Sequence, residues 1–203
     1  MAKKCVVIYV EGETDEEFYN KVKEHIRNKI PSKRFDVDAL KVECVKGIGN
    51  FSTKLLNKFK KEILIKYKDY RISVFLCYDH DVFEYSVNPP VDRDKLEKNL
   101  LEAGANEVKH IVAYRSIEDY LMIDTEGILK FLRLKDNTKI NGKNGLEKIT
   151  NLFKKANRTY IKGTKVEGLV DSLDIEKICN HICSQLCSLC KEVGLECDKQ
   201  KES

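Results

Sequence analysis

The chain has 203 residues, 42% hydrophobic and 34% charged, with three prolines, eight cysteines and a formal net charge of +4. That length and balance fit one folded domain, or one domain with a small appendage, and exclude a disordered or low-complexity chain. No apolar run is long enough to span a bilayer, and MAKKCVVIYVEG is too short and lacks the small-residue site of a secretion signal. The expected compartment is therefore the cytoplasm, with reduced thiols and no membrane partner.

Residues 5–10, CVVIYV, form a continuous apolar, β-branched run and predict a strand buried on both faces. The strand ends on Glu11-Gly12. Thr14 and Glu17 then have capping-box spacing, and Phe18, Val22 and Ile26 predict a helix that stops before Pro31. Leu40, Val42 and Cys44 alternate as a second strand, and residues 46–50, KGIGN, read as a glycine turn. Leu55, Leu56, Phe59 and Ile63 mark a second helix. ISVFLCY (72–78) is a third strand running into Asp79-His80-Asp81, and Pro89-Pro90 breaks the chain. Leu96, Leu100 and Leu101 mark a third helix closed at Gly104, and VKHIVAY (108–114) is a fourth strand leading into Ser116-Ile117-Glu118. This β-α-β-α-β-α-β order predicts an α/β fold, a Rossmann-like and mostly parallel sheet with helices on both faces.

After residue 125 the pattern turns helical, which divides the chain into 1–125 and a basic, mainly helical extension, 126–203. Ile128, Phe131 and Leu132 begin one helix, NGKNG (141–145) breaks it, and Leu146, Ile149 and Phe153 begin another. A last helix is expected over residues 175–193. Between Lys130 and Lys165 stand eleven lysines and arginines against Asp136 and Glu147, a local +9 that leaves the rest of the chain near −5. A basic lobe beside an acidic one suits a polyanion held near a cation, although a solvated lysine-rich surface has the same composition.

In open parallel sheets ligands bind beyond the carboxyl ends of the strands. Three strands deliver acids there: Glu11 and Asp15 after the first, Asp79 and Asp81 after the third, Ser116 and Glu118 after the fourth. Each group has a plain reading. Acids favour a helix start, Asp-rich stretches favour turns, and Ser116 suits an N-cap. Gathered at one edge, the carboxylates would repel unless a hard divalent cation with oxygen ligands joined them, and Mg²⁺ binds through one or two carboxylates while keeping waters. His80 is expected to point away from its flanking aspartates, and Cys77 to fill the strand's core. Cys179, Cys183, Cys187 and Cys190 share a helical face, where they read as packing rather than as a zinc stripe.

VIYVEGETDEEF followed by FLCYDHDVF resembles a Toprim domain, with a strand-terminal Glu-Gly and an Asp-x-Asp. The pairing of Glu11 with Asp15, and Ser116-Ile117-Glu118, are most similar to the Toprim part of the OLD-family nucleases, over residues 4–125. The resemblance implies a metal-dependent nuclease holding one or two Mg²⁺ or Mn²⁺ ions. Its metal ligands would be Glu11, Asp15, Asp79, Asp81, Ser116 and Glu118. Its catalytic residues would be Glu11, Asp79, Asp81 and Glu118, with Lys162 or Lys165 as the family's downstream lysine. The second acid, Asp15, is one methylene shorter than the family's usual Glu. No GxxxxGK[ST] is present, so the ATPase that precedes the Toprim part in OLD nucleases would have to be a partner chain. The expected ligand is nucleic acid, DNA or RNA, gripped through its phosphates by the basic stretch, in a defence or repair setting. The alternatives are a Toprim-fold binding module inactive without a partner, and another Mg-dependent phosphoryl-transfer enzyme such as a phosphatase or receiver.

Overall fold

A computed structural model describes residues 3–30, 37–80 and 91–195. Asp81, Pro31, the Pro89-Pro90 break and the C-terminal tail lie outside the described residues. The core is a four-stranded, all-parallel sheet of β1 (Lys3–Val10), β2 (Ala39–Cys44), β3 (Tyr70–Asp79) and β4 (Glu107–Ala113), in the order β2-β1-β3-β4. β1 is central, pairing Cys5 with Ala39 on one side and with Ile72 on the other. The chain leaves β1 for β2 on one side and reaches β3 on the other. The order therefore reverses between β1 and β3, the place where open α/β sheets form a ligand crevice.

Side chains alternate across each strand, so the buried runs feed two separate cores. Val6, Ile8 and Val10, with Phe75 and Cys77, face α1 (Glu13–Lys29) and the C-terminal helices. Cys5, Val7 and Tyr9, with Val74, Leu76 and Tyr78, face α2 (Lys54–Lys58) and α3 (Arg93–Ala103). The helix begun by α2 continues through a π-helical turn (Phe59–Ile63) and a last α turn (Leu64–Lys66). α3 closes at Gly104, whose φ of 119° belongs to the left-handed region that Gly adopts without strain. α1 buries Phe18, Tyr19, Val22 and Ile26, each worth about 1.5–3 kcal/mol of transfer free energy.

Beyond β4 come α4 (Ile117–Leu121), α5 (Thr125–Phe131), α6 (Gly145–Lys155), α7 (Ile175–His181) and α8 (Cys183–Glu192). They pack on the α1 face, and one hydrophobic cluster runs from Val6 and Phe18 through Ile128 and Phe153 to Leu189 and Val193. α8 is tied to the sheet by Glu192, which accepts from Ser73 Oγ at 2.9 Å and from Lys109 Nζ at 3.0 Å. None of the helices among the described residues is long and apolar enough to cross a membrane.

Three local expectations need correction. The Thr14–Glu17 capping box does not form, because α1 starts earlier: Gly12 is its N-cap, and Thr14 already lies inside the helix. The helix around Ile128 ends at Phe131 rather than reaching residue 141. The single helix expected over 175–193 is two, broken at Ile182, which lets Ile178 and Cys179 on one side and Leu186, Leu189 and Cys190 on the other enter the same core. Cys179 is buried there, and burial pushes its thiol up to about 12.

Candidate functional site

β3 outruns β1 at its carboxyl end, and its last residues pair only with β4, Asp79 opposite Ala113. Alternation places Asp79 on the same face as Phe75 and Cys77, the α1 side of the sheet. Its carboxylate is buried, and Oδ1 accepts the N–H of Ile117 at 3.0 Å. That N–H is one of the unpaired amides at the start of α4, so Asp79 does the capping expected of Ser116. The buried Ser116 instead donates to Asp119 Oδ2 at 3.2 Å. The other oxygen of Asp79 meets Lys162 Nζ at 2.8 Å.

Asp15 lies in the first turn of α1 and is buried. Its carboxyl is held well above the ordinary carboxylate range, first by loss of hydration and then by the charges of Asp79, Glu11 and Glu118. The charges of Asp79, Glu11 and Glu118, predicted from three separate stretches, thus all bear on Asp15 near the β1–β3 switch point.

Glu118, on α4, is fully buried. Its Oε1 accepts the Tyr160 hydroxyl at 3.0 Å, while Oε2 is buried with no hydrogen-bond donor among the described residues. Burial and the nearby Glu118 charge raise the Tyr160 phenol, so its proton stays on as the donor. Behind Glu118 the start of α6 presses on α4. Gly145 N–H donates to Asp119 Oδ1 at 2.8 Å, and a Cβ on Gly145 would come within 2.3 Å of the Asp119 nitrogen. The NGKNG stretch therefore does more than break a helix, since its last glycine allows the close approach that holds α4.

Lys162 reaches the site on a strap, residues 160–165, that crosses the start of α1. Glu13 N–H donates to Gly163 O at 3.0 Å, and Thr14 Oγ1 donates to Thr164 O at 3.0 Å. Lys165 does not join Asp79. It pairs with Glu17 at 3.2 Å and is half-exposed. Tyr160, Thr14 and Gly145 were not singled out from sequence as site residues, and the only signal for them is the density of turn residues around YIKGTK and NGKNG. His80 is exposed at the end of β3.

Gly12 is required by this strap. A Cβ there would sit 2.9 Å from both Gly163 Cα and Asp15 Oδ2, too close for any contact. Gly12→Ala is expected to destabilise the protein by about 1–3 kcal/mol, the usual cost of overpacking, and to lift the strap from α1. Denaturant unfolding measures the first effect, and faster proteolysis within residues 160–165 the second.

A hard cation fits the donor chemistry of this edge. The donors are all oxygens, three of the carboxylates repel charge on Asp15, and Glu118 Oε2 is a buried acceptor with no donor among the described residues. Among the described residues no three His, Cys, Asp or Glu side chains already converge as a finished metal cage. Mg²⁺ does not require one, because waters complete its shell. As the side chains stand, the Lys162 ammonium supplies positive charge at Asp79.

Comparisons of the chain with protein-family models, with curated proteins and with solved structures give no match. The chemistry of the site therefore rests on its own geometry.

Proposed function

We propose that the chain is a metal-dependent nuclease that hydrolyses phosphodiester bonds of nucleic acid, with a Toprim-like acidic edge and Mg²⁺ or Mn²⁺ as cofactor. One observation carries the reading: Asp79, Asp15 and Glu118, from three elements, share the β1–β3 switch point with Glu11, and an ammonium group lies against Asp79. Glu11, Asp15, Asp79 and Glu118 are the residues that would hold the ion, with Asp81 as a further candidate outside the described residues. When bound, the ion supplies charge neutralisation and a more acidic water.

The chain's own groups do the remaining work. Burial of Asp79 and Glu118 lowers the local dielectric, which strengthens each interaction with a phosphate. Lys162 is the group that can turn from Asp79 toward the charge growing on the phosphoryl oxygens. Tyr160 and the Ile117 N–H fix one oxygen each of Glu118 and Asp79, so the other oxygen of Glu118 and the Lys162-paired oxygen of Asp79 are held in a set direction. An ATPase partner chain, in place of the ATPase that precedes the Toprim part in OLD nucleases, is the proposed source of nucleotide control.

A second reading, phosphoryl transfer onto Asp79 as in a receiver, draws on the same Asp79–Lys162 pair. Asp79 is almost wholly buried and both its oxygens are engaged, which suits a holding role better than a nucleophile. The test is cleavage of labelled plasmid, linear duplex, single-stranded DNA and RNA with Mg²⁺, Mn²⁺ or EDTA. Cleavage should need metal and fall by about 10³-fold or more in Glu11→Ala and Asp79→Ala. Cleavage unchanged in both variants, or retained in EDTA, would sink the proposal. Phosphorylation of Asp79 by a small acyl phosphate would favour the second reading.

A further inference from the structure

Two adjoining cavities share one lysine. The first, about 330 Å³, opens over the acidic edge and is lined by Glu11, Gly12, Lys46 and Lys162 among others. The second, about 350 Å³, lies beyond the end of β2 and is lined by Lys46, Lys54, Lys58 and Lys61, with Glu62 as its acidic residue. Lys46 belongs to both.

The lysines of the second cavity are not equivalent. Lys58 is neutralised by an ion pair with Glu43, and Lys46 faces Glu13 at 3.5 Å. Lys54 and Lys61 are exposed, and among the described residues neither has a carboxylate within ion-pair distance. Two uncommon backbone features frame the cavity. Lys46 is held at φ 58°, a left-handed conformation that a lysine rarely adopts. The π-helical turn Phe59–Ile63 carries Lys61, and π-turns recur at functional sites. Nothing in the packing of the core beneath this helix requires a lysine at 54 or 61, since Leu55, Phe59 and Ile63 fill that core.

We propose that this lysine-lined cavity binds backbone phosphates of the nucleic acid next to the phosphate held at the acidic edge, with Lys54 and Lys61 as its free charges and Lys46 as the bridge. The inference rests on the nuclease reading for its ligand and adds the direction in which the strand leaves the site: over β2 and α2. The basic stretch 130–165 is then not the sole grip on the strand.

The test is binding of a fluorescent single-stranded 20-mer in EDTA, where metal-dependent cleavage cannot interfere, across a series of salt concentrations. Lys54→Ala/Lys61→Ala removes two exposed charges and should leave folding intact, checked by circular dichroism. Loss of two phosphate contacts should reduce the slope of log K against log salt by about 1.4 and weaken binding on the order of tenfold at 0.1 M salt. Lys95→Ala/Lys98→Ala, two exposed lysines on α3 outside both cavities and outside the basic stretch, serves as the comparison and should change the slope less. The inference is overturned if the wild type binds no 20-mer, or if the Lys54/Lys61 variant keeps the wild-type slope. Cleavage is read separately: a chain that binds through Lys54 and Lys61 yet never cleaves would uphold the subsite and reject the nuclease.

Discussion

Replacing Lys162 with alanine is expected to lower metal-dependent cleavage by about 10²–10³-fold, the range seen when one preorganised group that stabilises transition-state charge is removed. Lys165→Ala should stay within about twofold, because an exposed pair with Glu17 contributes little. The two lysines are three residues apart in YIKGTK, so the contrast tests placement rather than charge. The physical basis is the strap. Hydrogen bonds from Glu13 and Thr14 to the carbonyls of Gly163 and Thr164 fix its path across the start of α1, and along that path residue 162 meets Asp79 while residue 165 meets Glu17. Steady-state kinetics on the substrate found in the cleavage screen would measure it, and the loss should appear in kcat. Equal losses in the two variants would mean that the lysines act only as general surface charge.

Asp15→Asn is expected to make the metal-free protein more stable and the enzyme far less active. In EDTA, Asp15 is buried beside three other carboxylates, so removing its charge removes a repulsion without opening a cavity. A gain of about 1–3 kcal/mol follows, at roughly 2–4 °C of Tm per kcal/mol for a chain of this size. The pH dependence has a definite sign. The folded protein holds the Asp15 proton more tightly than the unfolded chain does, so wild-type stability from this group is complete below the unfolded carboxyl value of about 4 and is lost as pH rises toward the raised folded value. The advantage of the Asn variant should therefore grow as pH rises from about 4. Added Mg²⁺ should stabilise the wild type more than the variant. Differential scanning calorimetry in EDTA and in Mg²⁺ gives both numbers, and a variant less stable than wild type in EDTA at pH 7 would contradict the proposed crowding of charge.

The apolar runs of residues 5–10, 72–78 and 108–114, with the alternation of Leu40, Val42 and Cys44, were enough to specify four strands and an α/β fold; residues 5–10 and 72–78 are apolar at nearly every position because both faces of those strands are buried. Strand-end acids are legible for a related reason: a charge directly after an apolar run marks where the chain leaves the core. Glu11, Asp79 and Glu118 could be placed at one edge before any coordinates. What the linear pattern does not contain is which of two near neighbours crosses a gap of more than 80 residues. Lys162 rather than Lys165 meets Asp79, Tyr160 holds Glu118 from 42 residues away, and Thr14 leaves its own helix to bind Thr164. The same limit applies to the capping box, since Thr14 and Glu17 have the right spacing but Gly12 is the N-cap, and the two side chains, inside the helix, bond to the strap at Thr164 and Lys165. Local spacing determines what a residue is able to do within its own turn. Tertiary packing decides which partner it has, because a buried polar group takes whatever donor or charge the fold brings within reach.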